Sequence, residues 1–294
     1  MSNQFRKATI TFVVSAFASL LLALGLASSA LAQQQQQPPK PPKKKLQASS
    51  NFAQYAGRDA SNRLIAGGAT RDMMVTDDAG ALSIKGREAY EAGRYEEAVA
   101  DFRKVTEMKP GSARAFYELG VAYETAGRNK EAVAAYKQAV ALADKMEMKA
   151  VAYYNMGNAF AADKQPKEAA EAYKQVIALA PDQPVAYYNL GLAYAAAGQT
   201  TDAVESFKRA VKLKPDYAEA DFNLGIAYGT LERYKEAADA FRDAVQVRPD
   251  YAEAHFNLGL AYLALDDKAD AQAEVNALQG LKSPLAAKLK SFGE

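Results

Sequence analysis

A short phrase occurs twice in this chain at a spacing of 34 residues, and this repetition constrains the fold more than any other feature. "PDYAEADFNLGIAY" runs from Pro215 to Tyr228 and "PDYAEAHFNLGLAY" from Pro249 to Tyr262, with twelve of fourteen positions identical. Self-similarity at periods of roughly 20–50 residues is typical of chains built from stacked supersecondary units. We therefore expect a repeat architecture in which single units cannot bury their apolar faces alone.

The repeated unit extends beyond this phrase and occurs six times. Its marker is a glycine, and the spacings between successive markers are 34, 37, 34, 34 and 34 residues: Gly86, Gly120, Gly157, Gly191, Gly225 and Gly259. An alanine follows each marker by twelve residues: Ala98, Ala132, Ala169, Ala203, Ala237 and Ala271. A large residue follows four positions later: Phe102, Tyr136, Tyr173, Phe207, Phe241 and Val275. Two small residues at fixed places predict two helices whose backbones approach closely.

One unit reads as a helical hairpin. An apolar stripe at i, i+3, i+4 and i+7 predicts the first helix: Tyr187, Leu190, Gly191 and Tyr194. Gly198 supplies the corner, and a second stripe of Ala203, Phe207 and Ala210 predicts a second helix that ends before Pro215.

The unit "YYNLGLAYAAAGQTTDAVESFKRAVKLKP" resembles the tetratricopeptide repeat (TPR) family, whose units carry an aromatic, Leu-Gly, Tyr, then Ala, aromatic, Ala and a closing Pro. The resemblance implies an all-α, right-handed superhelical α-solenoid with a concave face lined by the first helices. Six repeats are predicted at 79–112, 113–149, 150–183, 184–217, 218–251 and 252–283, followed by a capping helix at 284–294.

Departures from the repeat pattern lead to further expectations. Three extra residues in "LADKMEMKA", where the closing proline is absent, predict that the second helix of the second repeat runs one turn longer. Asp221 and His255 stand where an aromatic is usual and predict looser packing at two places. The stretch Ser283–Phe292 has an N-cap serine followed by proline, which favours a capping helix for the last repeat.

The first helices carry a second pattern that predicts a binding site. An asparagine lies two residues before four consecutive markers: Asn155, Asn189, Asn223 and Asn257. Each amide offers a donor and an acceptor that can pair with a peptide bond of any sequence. The TPR domain of O-linked N-acetylglucosamine transferases has a similar ladder that holds extended polypeptide, which implies the same use here. The predicted flanking residues are Tyr117, Tyr154, Tyr188, Phe222, Phe256, Asn158, Leu192, Ile226 and Leu260.

This pattern has two explanations. In the first, the amides and rings face a peptide-binding groove on the side turned away from the second helix. Removing Asn189 and Asn223 would then weaken capture of a partner without changing the melting temperature. In the second, the asparagines bond within the stack and the rings contact neighbouring helices. Amides alone cannot suffice for binding, because four hydrogen bonds contribute about 2–6 kcal/mol, whereas micromolar affinity needs about 8.

Chemistry-bearing residues are scarce, which favours a non-enzymatic protein. The chain has no cysteine and one histidine, His255, which falls on the packing stripe. No phosphate-binding glycine loop, dinucleotide fingerprint or cluster of metal ligands is present in the sequence. We therefore predict no catalytic residue, no cofactor and no metal. Residues 79–294 hold 27 basic and 31 acidic residues, a mildly acidic balance that argues against nucleic acid as a partner.

The start of the chain predicts export. Residues 1–32 combine Arg6 and Lys7, an apolar run and "ALA", the pattern of a secretory signal peptide cleaved between Ala32 and Gln33. The alternative is an uncleaved membrane anchor at residues 8–27. Residues 33–78 are rich in Gln, Pro and Lys and predict a disordered linker.

Together these features predict an interaction scaffold in the periplasm or secreted from the cell. It would bind a protein or peptide in the concave groove and contact a membrane through its N-terminal segment only if that segment is uncleaved. The alternative function is a structural, self-associating envelope component tethered through the N-terminal segment. The sequence leaves the oligomeric state open.

Overall fold

Apolar residues at helical spacing, with breaks between them, divide the chain into helices. The computed structural model describes residues 78–293, and these contain thirteen α-helices and no strand. In chain order the helices are α1 (Asp78–Glu91), α2 (Tyr95–Met108), α3 (Ala113–Thr125), α4 (Asn129–Leu142), α5 (Met146–Ala162), α6 (Pro166–Leu179), α7 (Pro184–Ala196), α8 (Thr200–Leu213), α9 (Ala218–Thr230), α10 (Tyr234–Val247), α11 (Ala252–Ala264), α12 (Lys268–Gly280) and α13 (Leu285–Gly293). The predicted all-α architecture of six helix pairs and a capping helix is confirmed.

Prolines fix where several second helices end. Lys214 and Arg248 each precede a proline and have ψ angles of 90° and 92°, outside the helical region. The proline ring disfavours the helical conformation of the residue before it, so the helix stops at that residue. Within a repeat the corner is made by a residue with positive φ, such as Gly198 at 77°. Glycine adopts this conformation without steric cost.

The three extra residues between the second and third repeats lengthen a different helix from the one predicted. The second helix of the second repeat, α4, has 14 residues like its counterparts, whereas α5 has 17. The prediction of a longer α4 is therefore wrong, and α5 begins at Met146, ahead of the predicted boundary at 149. Met, Glu, Lys and Ala are good helix formers, and no proline separates them from the helix that follows.

The described residues divide into two compact units, 78–186 and 187–293. In unit 78–186, each of the helices α1 to α5 packs against the next along the chain, and α3 also contacts α5. In unit 187–293, each of the helices α8 to α12 packs against the next, α9 also contacts α11, and α13 contacts both α11 and α12.

The marker glycines explain how each helix pair packs. A Cβ atom placed on Gly191 would lie 2.6 Å from the ring of Phe207, and the equivalent aromatic occupies the same place in the first five repeats. In the sixth repeat the second helix carries Val275 instead. Leu289 of α13 lies against Gly259 and joins a buried cluster with Phe256, Leu260 and Leu278. The capping helix thus supplies the side chain that the last repeat lacks.

Candidate functional site

In unit 78–186, the predicted site residues lie on α3 and α5, and their rings are buried. The ring centroids of Tyr117 and Tyr136 are 5.9 Å apart, and those of Tyr154 and Tyr173 are also 5.9 Å apart. Tyr136 and Tyr173 lie on the second helix of the repeat to which their partner ring belongs. The prediction that Tyr117 and Tyr154 turn away from the second helix is therefore wrong. Because the marker glycine has no side chain, the ring of the second helix packs directly over it and there contacts the ring of the first helix.

Asn155 and Asn158 are both engaged within this unit. Asn155 is 2% exposed, and its Nδ2 donates a hydrogen bond of 2.8 Å to the hydroxyl oxygen of Tyr117 in the preceding repeat. The Oδ1 of Asn158 accepts a hydrogen bond of 2.7 Å from the hydroxyl of Tyr173. The amide of Asn155 therefore joins α5 to α3, as the second of the two sequence-based explanations describes. Its role in ligand binding stays a prediction.

A buried carboxylate makes the same kind of link one repeat earlier. Glu118 stands two residues before Gly120, where later repeats carry asparagine, and is 2% exposed. Its Oε1 lies 3.0 Å from the Nε of Arg114 and 3.4 Å from the Nε of Arg87 in the first repeat. Two guanidinium groups therefore compensate one buried charge, and α1 is connected to α3.

In unit 187–293, the predicted rings also pack against helices of the core. Tyr188 lies 5.9 Å from Phe207, Phe222 lies 5.7 Å from Phe241, and Phe256 lies 6.5 Å from Phe292. The predicted apolar neighbours Leu192, Ile226 and Leu260 are buried. The placement predicted for these residues, turned away from the second helix, is therefore wrong for the two rings that contact it, Tyr188 and Phe222.

The asparagines of this unit differ in exposure. Asn257 is buried, and its Nδ2 donates to the carbonyl oxygen of Glu253 at 2.7 Å. Asn223 is half-buried, and its Nδ2 donates to the Tyr188 hydroxyl at 3.1 Å and to the Glu219 carbonyl oxygen at 2.8 Å. Asn189 is also half-buried. Of the predicted ladder, this unit leaves Asn189 and Asn223 partly open to solvent.

Two tyrosines that sequence reasoning missed lie beside Asn223. Tyr217 packs against Tyr188 with the ring centroids 5.0 Å apart and the planes tilted by 39°, and Tyr251 packs against Phe222 at 4.9 Å with a tilt of 38°. Both belong to the "PDY" of the duplicated phrase, so the duplication is the sequence signal from which these two tyrosines could have been predicted. Burial raises the pKa of Tyr188 and Tyr251, which keeps both hydroxyls neutral.

A cation covers each of these outer rings. The Nζ of Lys214 lies 4.7 Å from the centroid of Tyr217, and the guanidinium carbon of Arg248 lies 4.3 Å from the centroid of Tyr251. Arg248 also forms an ion pair with Glu219. We call the four rings Tyr188, Tyr217, Phe222 and Tyr251, together with Asn223, the aromatic wall.

Other predictions concern features outside the wall. His255 lies on the packing side of α11 and hydrogen-bonds Glu274 and the Pro249 carbonyl.

In the described part of the chain, no group of three or more His, Cys, Asp or Glu side chains could hold a metal ion. No helix in the same range is long and apolar enough to span a bilayer. The predicted cleavage site at Ala32 and Gln33, the anchor at 8–27 and nearly all of the 33–78 linker lie outside the described residues.

Comparison with solved structures shows similarity to helical repeat proteins. YrrB, titled a TPR protein with an unusual peptide-binding site, is 23% identical with a TM-score of 0.56, over 65% of this chain and 97% of that one. MamA from Desulfovibrio magneticus RS-1 is 25% identical with a TM-score of 0.55, over 60% and 97%. PilF of Pseudomonas aeruginosa is 21% identical with a TM-score of 0.55, over 72% and 96%.

Comparison of the sequence with family models agrees with the structural similarity. A tetratricopeptide repeat model matches residues 85–147 and 154–218, and a TPR repeat model matches residues 230–266. No curated protein matches the sequence significantly. The helix pairs of both units and the matched repeats show that this chain belongs to the tetratricopeptide repeat family, whose repeats generally serve as protein–protein interaction scaffolds.

Proposed function

We propose that this protein is an exported, non-enzymatic scaffold that binds an extended polypeptide segment at the aromatic wall. Family membership supports a protein–protein interaction scaffold. Three properties of unit 187–293 support the wall as the binding surface: fixed aromatic rings, a polar group among them and partial exposure. The proposed binding surface is the wall and not the predicted ladder of four asparagines, because the side chains of Asn155 and Asn257 are buried.

The rings of the wall are held in place before any ligand binds. Tyr217 and Tyr251 each contact both a cation and a first-helix ring. A side chain that is already immobilised loses little conformational entropy when a partner covers it. Aromatic residues of this kind supply most of the binding free energy at well-packed interfaces. These tyrosines can therefore contribute what the amides alone cannot.

Asn223 is the observation that carries the proposal. Both hydrogens of its amide nitrogen are used, one toward Tyr188 and one toward the Glu219 carbonyl. Its Oδ1 accepts no hydrogen bond from the described residues, and the side chain is half exposed. An oriented carbonyl oxygen between aromatic rings suits the backbone N–H of an extended peptide. The wall thus offers an acceptor for the partner's main chain and rings for its side chains.

The proposal is tested by adding bulk beside the wall while leaving its contacts intact. Tyr188, Leu192 and Ala195 are spaced i, i+4 and i+7 and share one stripe of α7, and Ala195 is half exposed. Peptides selected from a random display library on the purified protein are measured by fluorescence anisotropy. We expect Ala195→Arg to weaken the selected peptide about tenfold or more, a loss of about 1.4 kcal/mol.

The matched control is Ala273→Arg, the same change at an exposed position on α12. It should leave the affinity unchanged. Equal affinity for wild type and Ala195→Arg, or equal losses in both variants, would contradict binding at the wall.

Export is part of the proposal and has its own test. Its support is the sequence pattern of residues 1–32. N-terminal sequencing of the protein from its native host should begin at Gln33. A sequence that begins at residue 1 or 2 would instead support the anchor at residues 8–27.

A structural, self-associating component is the second candidate. Its support is the Gln-, Pro- and Lys-rich sequence of the N-terminal segment, and the hydrogen bond from Asn155 to Tyr117 fits it because that amide joins two repeats. Deleting Gln33–Leu46 tests the tether that this function requires. Release from the envelope fraction would support it, whereas unchanged fractionation would reject it.

A further inference from the structure

Two titratable side chains occupy the same repeat position in consecutive repeats of unit 187–293. Asp221 and His255 lie four residues before their marker glycines, where the second, third and fourth repeats carry Phe116, Tyr153 and Tyr187. The sequence predicts looser packing at both places. The structure instead shows that both side chains are enclosed, each in surroundings that favour its protonated form.

Asp221 is buried without a countercharge. The residue is 1% exposed, and its Oδ2 has no hydrogen-bond partner among residues 78–293. Burial, and next the negative charge of Asp243 on α10, raise the pKa of Asp221 to about 7. Burial likewise raises the pKa of Asp243, which is partly offset by Arg242, while Asp239 adds to the rise. An uncharged carboxyl group is the form that such surroundings favour.

His255 is enclosed by two acceptors. Its Nδ1 lies 2.6 Å from the Oε2 of Glu274 on α12, and its Nε2 lies 3.0 Å from the carbonyl oxygen of Pro249. A carbonyl and an ionised carboxylate can only accept, so both bonds form together only when both ring nitrogens carry hydrogen. The hydrogen bond to Glu274 is the main cause that raises the pKa of His255. The imidazolium therefore connects α11 to α12 and to the segment before α11.

We propose that Asp221 and His255 make the fifth and sixth repeats a proton-linked unit, which is most stable when both side chains are protonated and loosens as the pH rises through neutrality. This device does not depend on the proposed binding function. It involves α9 to α12. In unit 78–186, Phe116 and Tyr153 occupy the corresponding positions, and the buried Asp101 forms an ion pair with Lys85.

Both groups change stability in the same direction. In the unfolded chain an aspartate loses its proton near pH 3.8, whereas folded Asp221 keeps it to about pH 7, so the native state is progressively disfavoured across that window. Unfolded His255 loses its proton near pH 6.5, whereas the folded residue holds it to higher pH. Its stabilisation is fully present below pH 6.5 and is lost as the pH rises through the folded value. Near neutral pH, unfolding therefore releases protons from both sites.

The two carboxylates with a lowered pKa, Glu131 and Glu236, act outside this window. Hydrogen bonds lower the pKa of Glu131 and Glu236 below the ordinary value of 4.5. Their contribution to stability is lost only in acid, where Asp221 and His255 are already protonated. Asp243, whose pKa burial also raises, is unchanged in the double variant used below, so that variant isolates the contribution of Asp221 and His255.

The test is native-state hydrogen exchange on the full chain, corrected for intrinsic rates, with α3–α6 as the internal reference. From about pH 5.5 to about pH 8.5 we expect protection in α9–α12 to fall about tenfold more than protection in α3–α6. The double variant Asp221→Asn with His255→Gln keeps similar shapes without titrating and should remove the difference. Equal falls in both regions of the wild type, or an unchanged difference in the double variant, would overturn the proposal.

The single histidine provides a measurement that needs no variant. The ring C–H resonances of His255 can be followed by NMR across the same range in the wild-type protein. We expect a midpoint above the value of 6.5 for an unperturbed imidazole. A midpoint at or below that value would overturn the role of His255 even if the double variant failed to fold.

Discussion

In the two units, equivalent repeat positions connect consecutive repeats through different side chains. In both, a residue two positions before the marker glycine contacts the first helix of the preceding repeat. In unit 78–186 these residues are Glu118 and Asn155, and both side chains are buried. In unit 187–293, Asn223 makes the same link to Tyr188 but is half exposed beside packed tyrosines. The same repeat position is therefore closed to solvent in one unit and partly open in the other, where we propose that it also faces a partner.

The largest expected difference concerns the charged link. Glu118→Ala leaves Arg87 and Arg114 without their common carboxylate, which we expect to lower the free energy of unfolding by about 3 kcal/mol. Urea denaturation of the variant measures this loss. Glu97→Ala, which removes an exposed ion pair with Arg94, is the matched control and should cost less than about 1 kcal/mol. Similar small losses in both variants would show that the buried link contributes little.

The glycine crossings should behave alike in both units. A Cβ on Gly225 would lie 2.6 Å from the Phe241 ring, and Gly120 is similarly crowded by Tyr136. We expect Gly120→Ala and Gly225→Ala each to cost about 1–3 kcal/mol, because the second helix must shift. Gly280→Ala meets no atom within 4 Å and should be neutral or slightly stabilising. Thermal unfolding compares the three, and a neutral result at either crowded glycine would contradict the packing described.

The asparagine links should differ in cost because they differ in burial. Asn155→Ala leaves the buried Tyr117 hydroxyl without its donor, and we expect a loss of about 2 kcal/mol. Asn223 is only half-buried, so water can partly replace its amide in Asn223→Ala, and about 1 kcal/mol is expected. Chemical denaturation of both variants tests this order. A larger loss for Asn223→Ala would reverse the comparison between the units.

The smallest effect concerns one hydroxyl. Tyr188→Phe removes the acceptor for Asn223 and should cost about 0.5–1 kcal/mol. In the next repeat Phe222 stands in the equivalent place, so Asn257 has no such acceptor and bonds the Glu253 carbonyl. Phe222→Tyr is the reciprocal variant, and we expect it to be neutral or mildly stabilising. If Tyr188→Phe and Phe222→Tyr lower the free energy of unfolding equally, the hydroxyl does not determine the stability of this contact.

The repeat register could be predicted from the sequence, while the direction of individual side chains could not. Glycine, alanine and aromatic spacing fixed the six helix pairs because each requirement acts within one hairpin. Tyr188 and Asn223, in contrast, are 35 residues apart in the chain, and their hydrogen bond depends on how consecutive repeats stack. This bond also changes an expectation: removal of Asn223 should now affect stability as well as binding.

Local ambiguity explains the remaining differences. The residues of "LADKMEMKA" favour helix, and no proline marks the boundary between α4 and α5. The sequence therefore does not determine which of these two helices contains the extra residues. Tyr217 and Tyr251 were not predicted as site residues because the repeat pattern assigns "PDY" to a connection. Connections between repeats can nonetheless deliver a side chain to the neighbouring first helix, as Tyr251 does to Phe222.

The central claim is that a partner segment lies on the aromatic wall of unit 187–293. A photo-crosslinking amino acid placed at position 195 in one variant and at position 273 in another tests it most directly, with the peptide selected from the display library as the probe. We expect a covalent adduct from position 195 and none from position 273. Adducts from position 273 alone, or equal yields from both positions, would contradict it.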